Sequence, residues 1–337
     1  MRTLFLLVVA ALGLAPDAHA QWQSKTMRDP LPGREVERPL VLPKGWVQIS
    51  FGYDQHLGVG QWTPEGKVER FDQAHWQLHT EHVRIAYGVS KNAELWWTIP
   101  FHQALLTNDD WDDDEALFDH SLGDQYFGWR LHILHTEAPA SSWMFDTWYK
   151  APTAQESPAN YIGGPLNVSN IIFTTGTPDW YLGTAYKRQF GPIAATATAG
   201  YLHRFSSVVQ YLVELNEFQF NGRMKPGDQV RLQLEVMLQA GPLAIGVRPE
   251  YEVRLKTKMG TTSGDFLNPN RNLDVVPGSG GQALDLRSWV KLNATRGFDV
   301  AGYYVHPLLG EDLLFFPIED LHPTYGPTFG GFVEARF

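Results

Sequence analysis

Residues 243 to 256 alternate without a break. Leu243, Ile245, Val247, Pro249, Tyr251, Val253 and Leu255 fall on one side of an extended chain, and Ala244, Gly246, Arg248, Glu250, Glu252, Arg254 and Lys256 fall on the other. A period of two belongs to a strand with two unlike faces, not to a helix. The preceding stretch sets Val230, Leu232, Leu234, Val236 and Leu238 against Arg231, Gln233, Glu235, Met237 and Gln239. The following one sets Leu284, Leu286, Val290 and Leu292 against Asp285, Arg287, Trp289, Lys291 and Asn293. Each is long enough to cross a bilayer, for which a tilted strand needs about 9–11 residues. A water-soluble sandwich alternates too, so the connections and the chain ends must decide the solvent.

The connections alternate in length. Short turns occur at 88–92, around 137–141, and at 190–192, 241–242 and 296–297, while long stretches occupy 60–72, 106–122, 153–177, 206–227, 257–282 and 307–326. Twelve strands are expected between them, near 45–59, 73–87, 93–105, 123–135, 142–152, 178–188, 193–205, 228–240, 243–256, 283–294, 298–306 and 327–337. An even strand number with short turns at one end and long loops at the other is the pattern of an outer-membrane barrel. The last strand puts Phe329, Gly331, Val333, Ala335 and Phe337 on one face, an alternating strand with a final aromatic of the kind the barrel-assembly machinery recognises. The fold expected is therefore all-β: a transmembrane antiparallel up-and-down β-barrel over 45–337, closed by the strand ending in Phe337.

The N-terminus specifies export. Arg2, the apolar run Leu4 to Leu14 and Ala18-His19-Ala20 form the three parts of a cleaved signal peptide over 1–20. The run is too short to span a bilayer as a helix. Residues 21–44, marked by Pro30, Pro32, Pro39 and Pro43, are expected to be a periplasmic lead-in or a partial plug. Both termini fall on the periplasmic side. With no cysteine in the chain, disulfides, thiolate metal sites and a cysteine nucleophile are excluded. A net charge of −10 argues against a nucleic-acid partner. Twelve tryptophans suit the two membrane interfaces, and Trp46, Trp76, Tyr87, Trp97, Phe101, Trp129, Trp143, Tyr149, Tyr181, Tyr201 and Tyr304 are the expected girdle residues.

Alternation also assigns the lumen. Arg130, His132, Asp146, Lys150, Lys187, Arg231, Glu235, Arg248, Glu250, Glu252, Arg254, Asp285, Arg287 and Lys291 are the candidate lining residues. The mixed signs suggest a cross-strand ion-pair lattice, with Glu250 or Glu252 near Arg231, Arg287 or Lys291. Two kinds of loop stand out. Asp109, Asp110, Asp112, Asp113 and Asp114 are a candidate oxygen-ligand set for Ca²⁺, although the spacing lacks the glycine of a calcium loop, and a solvated loop bridged by divalent ions to lipopolysaccharide is the other reading. Tyr211, Leu212, Phe218 and Phe220, with Leu314, Phe315 and Phe316, are apolar where external loops are normally polar, and are candidates for capturing an oily or aromatic solute. Metallohydrolase, serine-hydrolase and phosphate-loop motifs are absent, so no catalytic residue and no cofactor is assigned.

The chain resembles a bacterial outer-membrane transporter family of the meta-pathway of phenol degradation. The resemblance is carried by Arg38-Pro39-Leu40 through Leu42-Pro43-Lys44-Gly45, then Ile85-Ala86-Tyr87-Gly88-Val89-Ser90 with Ala93-Glu94-Leu95. It continues through Ser121-Leu122-Gly123-Asp124 and Tyr149-Lys150-Ala151-Pro152-Thr153. The family often has leucine and glycine where this chain has Ala151 and Ala154. The resemblance implies uptake of hydrophobic or aromatic compounds and supplies no catalytic residues. The function expected is a channel admitting such solutes. A non-conducting structural or surface-interaction barrel is the alternative, and a lipid hydrolase using Ser288 or His120 is a third.

Overall fold

The computed structural model describes residues 31–63, 65–70, 74–108, 117–137, 140–154, 177–213, 218–260, 273–275, 279–295, 297–311 and 325–337. The segment 1–20 expected to be a signal peptide, Asp109, Asp110, Asp112, Asp113 and Asp114, and Leu314, Phe315 and Phe316 lie outside that set.

The twelve barrel strands are β1 (Val47–Gly58), β2 (Ala74–Ser90), β3 (Ala93–Asn108), β4 (Leu117–Leu122 and Gln125–Glu137), β5 (Ala140–Ala151), β6 (Asp179–Phe190), β7 (Ile193–Arg204), β8 (Gln229–Ala240), β9 (Leu243–Arg254), β10 (Gly281–Thr295), β11 (Phe298–Glu311) and β12 (Thr328–Arg336). Each pairs antiparallel with the next, and β12 pairs back onto β1 through Gln48↔Arg336 to His56↔Thr328. The closure leaves no free edge, so the backbone groups of every strand are satisfied by neighbours. β4 is broken at Gly123-Asp124, where Asp124 accepts a hydrogen bond from Ala154 N–H. In two of the tight turns, Gly191 (φ 63°) and Gly241 (φ 60°) take the positive φ that a two-residue hairpin ending in proline requires.

The outward face is apolar. Leu232, Leu234, Val236 and Leu238 of β8, with Leu243, Ile245 and Val247 of β9, are all exposed on the outside of the wall. An outward aromatic row crosses four strands in register: Trp97 opposes Phe127, Phe127 opposes Tyr149, and Tyr149 opposes Trp180. Tyr181 does not belong with these rings. It points inward, 8% exposed, and stacks on Trp148 at 5.1 Å between centroids.

Inside, several rings lie flat on the wall instead of crossing the lumen. Tyr181 covers Gly183 and Gly200, Trp96 covers Gly128 and Trp289 covers Gly246; a β-carbon on any of these glycines would collide with the ring. A glycine beside a large ring keeps the wall thin there and frees volume at the centre.

The connections at the long-loop end are partly strands. Ser207–Val213, Phe218–Lys225, Lys258–Gly260 and Leu273–Val275 form a separate four-stranded sheet, and Gly60–Trp62 pairs with Val68–Arg70. The expected loops at 206–227 and 257–282 are corrected accordingly, because the hairpins continue beyond the length a bilayer needs. Tyr211 opposes Phe220 in that sheet, with Leu212 and Phe218 in the same pair of strands. The side chains of these four residues lie outside the described set.

Candidate functional site

Among the described residues, two chambers line the lumen. A lower one of about 450 Å³ lies toward the short turns, and an upper one of about 540 Å³ lies toward the long loops; Arg231 and Gln233 line both.

The lower chamber is floored by residues 31–44, which enter the barrel before β1. A 3₁₀ turn at Glu35–Glu37 buries Val36 against Ala194 and Met237, and Val41 packs on Met144 and Ala185. The strands then capture the polar groups of the segment. Glu94 of β3 accepts the Leu42 N–H at 2.7 Å, Ser142 of β5 the Leu40 N–H at 3.2 Å, and Gln239 of β8 the Glu35 N–H at 2.8 Å. Lys187 of β6 donates to the carbonyls of Glu35 (2.7 Å) and Arg38 (3.0 Å).

Arg38 is the anchor. It is 5% exposed and donates to Asp299 of β11 at 2.5 Å and to Glu35 at 2.9 Å. Asp299, fully buried, also receives Arg336 at 2.5 Å and Asn293 at 2.9 Å, with Lys291 at 3.5 Å. Arg336 further pairs with Glu334. Burial opposes ionisation of Glu35, but Lys291, Arg38, Lys187 and Arg336 outweigh it and hold this carboxyl well below the usual carboxylate range.

Above the floor, two ion-pair lattices line opposite walls. On β2 to β5, Glu94 takes Arg84 (3.3 Å) and Arg130 (3.5 Å), and Arg130 also meets Asp146 (3.5 Å). On β8 to β10, Arg231 pairs with Glu252 (3.0 Å), while Arg248 (2.7 Å) and Arg287 (3.0 Å) share Glu250. Arg248 also reaches Glu235 at 3.6 Å. Arg84 stacks over Trp96 and Arg287 over Tyr303, each at 4.5 Å from the ring centre. The upper chamber is topped by the hairpin at 60–70, whose Trp62 is buried edge-on against Tyr325 at 5.2 Å.

The sequence-derived lining residues divide among these places. Arg130, Asp146, Lys187, Arg231, Glu235, Arg248 and Lys291 face the lower chamber, and Glu250, Glu252, Asp285 and Arg287 the upper. Lys291 meets Glu35 (3.1 Å) and Glu334 (3.7 Å) at the floor and stands apart from Glu250 and Glu252. Three others are placed away from both chambers. Lys150 is sealed in the wall with Asp179 (2.9 Å) and Asp124 (3.4 Å), Arg254 is buried beside Glu252 (3.6 Å), and His132 lies at the short-turn rim, Nε2 to Ser142 Oγ at 2.9 Å. The Ser142–His132 pair is a docking element, since Ser142 is buried and its oxygen takes the Leu40 N–H. Ser288 faces outward opposite Val247 and Tyr304 without a histidine partner, and His120 lies against Phe101.

Glu35, Arg38, Glu94 and Asp299 were not among the sequence candidates. The (i, i+3) pairing of Glu35 with Arg38 around a buried valine was a signal for the first two. Glu94 and Asp299 are single inward carboxylates close to short turns, and nothing in local sequence tells them from solvated ones.

No family model matches the chain, and no curated protein matches its sequence. Among solved structures, an outer membrane channel from Pseudomonas putida F1 superposes with a TM-score of 0.63 at 12% identity, over 92% of this chain and 99% of that one. The fold is that of an outer-membrane β-barrel. The translocator domain of the autotransporter NalP from Neisseria meningitidis gives 0.45 at 9% identity, covering 86% of this chain and 88% of that one. A variant of the TodX monoaromatic hydrocarbon channel gives 0.43 at 6%, covering 87% and 89%.

Proposed function

We propose that this protein is an outer-membrane channel admitting small hydrophobic or aromatic compounds, with its long loops outside the cell and both termini in the periplasm. On this reading, the related transporters are those of the meta-pathway of phenol degradation. The observation that carries it is a lumen in which two adjoining chambers end on a floor made of non-strand chain, held by side chains alone. A purely structural barrel of this size has no need to keep such volume, because an interior filled with side chains is more stable. Solutes enter at the long-loop end, are held first beside Trp62, and pass down between the two ion-pair lattices when residues 31–44 yield. The exported chain reaches its place through a signal peptide and the barrel-assembly machinery, with lipopolysaccharide around its outer rim.

The test is liposome swelling with purified protein and neutral aromatic solutes such as benzyl alcohol. Swelling above that of protein-free vesicles is expected, and equal rates would end the transport reading. The filled floor also suits a second reading, a non-conducting barrel, which predicts no conductance even after residues 31–44 are removed.

A further inference from the structure

The two chambers differ in charge. The lower one is lined by seven cationic side chains and five carboxylates; the upper one has three arginines against four carboxylates. In the upper chamber Glu250 and Glu252 are matched by Arg287, Arg248 and Arg231. Asp54 and Asp285 have no such contact: among the described residues neither has a cationic nitrogen within 4.0 Å or a side-chain hydrogen bond, Asp54 Oδ1 is shielded from solvent with no partner, and the cation that acts on both, Arg287, does so from beyond that distance. Asp54 lies beside the Tyr303 ring across Gly330. The rest of the lining mixes polar groups, among them His56, His82 and His102, with an apolar and aromatic part in which Trp62, Leu78, Pro100 and Val305 face the same space.

A half-buried carboxylate with no ion-pair partner of its own is costly, and the structure keeps two of them in one cavity of ligand size. An ammonium group supplies both a positive charge and several donors, and the aromatic walls favour an attached apolar body. We infer that the upper chamber binds small aromatic ammonium ions, with the charged head at Asp54 or Asp285 and the ring against Trp62 and its apolar neighbours. A carboxylate of the same shape is rejected by the same two groups. This deepens the channel reading by naming a solute class, yet it concerns binding and does not depend on passage. The cation-rich lower chamber slows onward movement of such a solute, so it is retained above Arg231.

The experiment is equilibrium dialysis of the purified protein in detergent against benzylammonium, benzyl alcohol and benzoate at about pH 8, where imidazoles are neutral. Benzylammonium is expected to bind at least about tenfold more tightly than benzoate, with benzyl alcohol between them. In the double variant Asp54→Asn, Asp285→Asn that order should collapse onto the benzyl alcohol value. Glu235→Gln, a change in the lower chamber, should leave it intact. Heat-modifiable mobility on gels confirms that each variant forms a closed barrel. If the double variant does not close, Asp54→Asn and Asp285→Asn are measured singly, each expected to lose part of the preference. Equal binding of benzoate and benzylammonium, or a preference that survives the substitutions, overturns the assignment. Absence of flux in the swelling assay bears on the transport reading alone.

Discussion

The two ends of the lumen use the same residue types to opposite effect. At the short-turn end, Arg38, Lys187, Lys291 and Arg336 converge with Glu35, Asp299 and Glu334 on a piece of chain that belongs to no strand. At the long-loop end, the arginines and glutamates of β8 to β10 satisfy one another along the wall and leave the centre empty. The difference lies in what the charges bond to. Pairs within a wall define a lining, whereas pairs that reach across to the 31–44 segment define a closure. A charge at the floor is buried, so losing any partner there is costly, while one on the upper wall is partly hydrated and loses less.

The sharpest way to break the contrast is Asp299→Ala. It leaves Arg38, Arg336 and Lys291 with only Glu35 and Glu334 between them in a buried site, a loss of about 3–5 kcal/mol. The expected result is release of residues 31–44, read as faster trypsin cleavage after Arg34 and as larger conductance. A weaker perturbation is Gly200→Val, which drives Tyr181 off the wall toward the lower chamber at a cost of roughly 1–3 kcal/mol. Solute flux should fall while the floor remains resistant to trypsin. Arg287→Gln tests the redundancy of the upper wall, since Glu250 keeps Arg248 as a partner. It should change thermal stability by about 1 kcal/mol or less and leave trypsin resistance unaltered.

The smallest expected effect is that of pH on the floor. The Glu35 carboxyl is held below its unfolded value, so its stabilisation is present above the ordinary carboxylate range and is lost only as pH falls through the depressed folded value. Titration of Glu35 should therefore leave conductance unchanged between about pH 7 and pH 5. At the opposite rim, outside the strands, burial opposes ionisation of Asp228, but the Arg204 N–H, the Tyr201 hydroxyl and Lys225 together lower its pKa. The β7–β8 connection should hold over the same range, as amide exchange would show.

Most of the barrel was legible in the sequence because the bilayer imposes its period directly. Leu243 to Arg254 alternate because one face meets hydrocarbon and the other a polar interior, and the short turns at Gly191-Pro192 and Gly241-Pro242 mark where the chain reverses. Alternation reports the side of the wall but not the depth. Lys150 and Lys187 both fall on the inward side of their strands, yet one is locked beside Asp179 in the wall and the other holds the floor. Tyr181 has the composition of a girdle residue, but it shares its face of β6 with Lys187, and the glycines on β6 and β7 make room for its ring inside. The floor itself was least legible. Residues 31–44 have no period, and their partners on β3, β5, β6, β8 and β11 come from positions scattered over some 200 residues of chain, brought together by barrel closure alone.

The most direct measurement of the closure is single-channel recording in planar bilayers of the full chain beside a form lacking residues 31–42. The arrangement described predicts small or rare openings for the full chain and frequent, larger steps once the floor is removed. Identical traces from the two forms would contradict it.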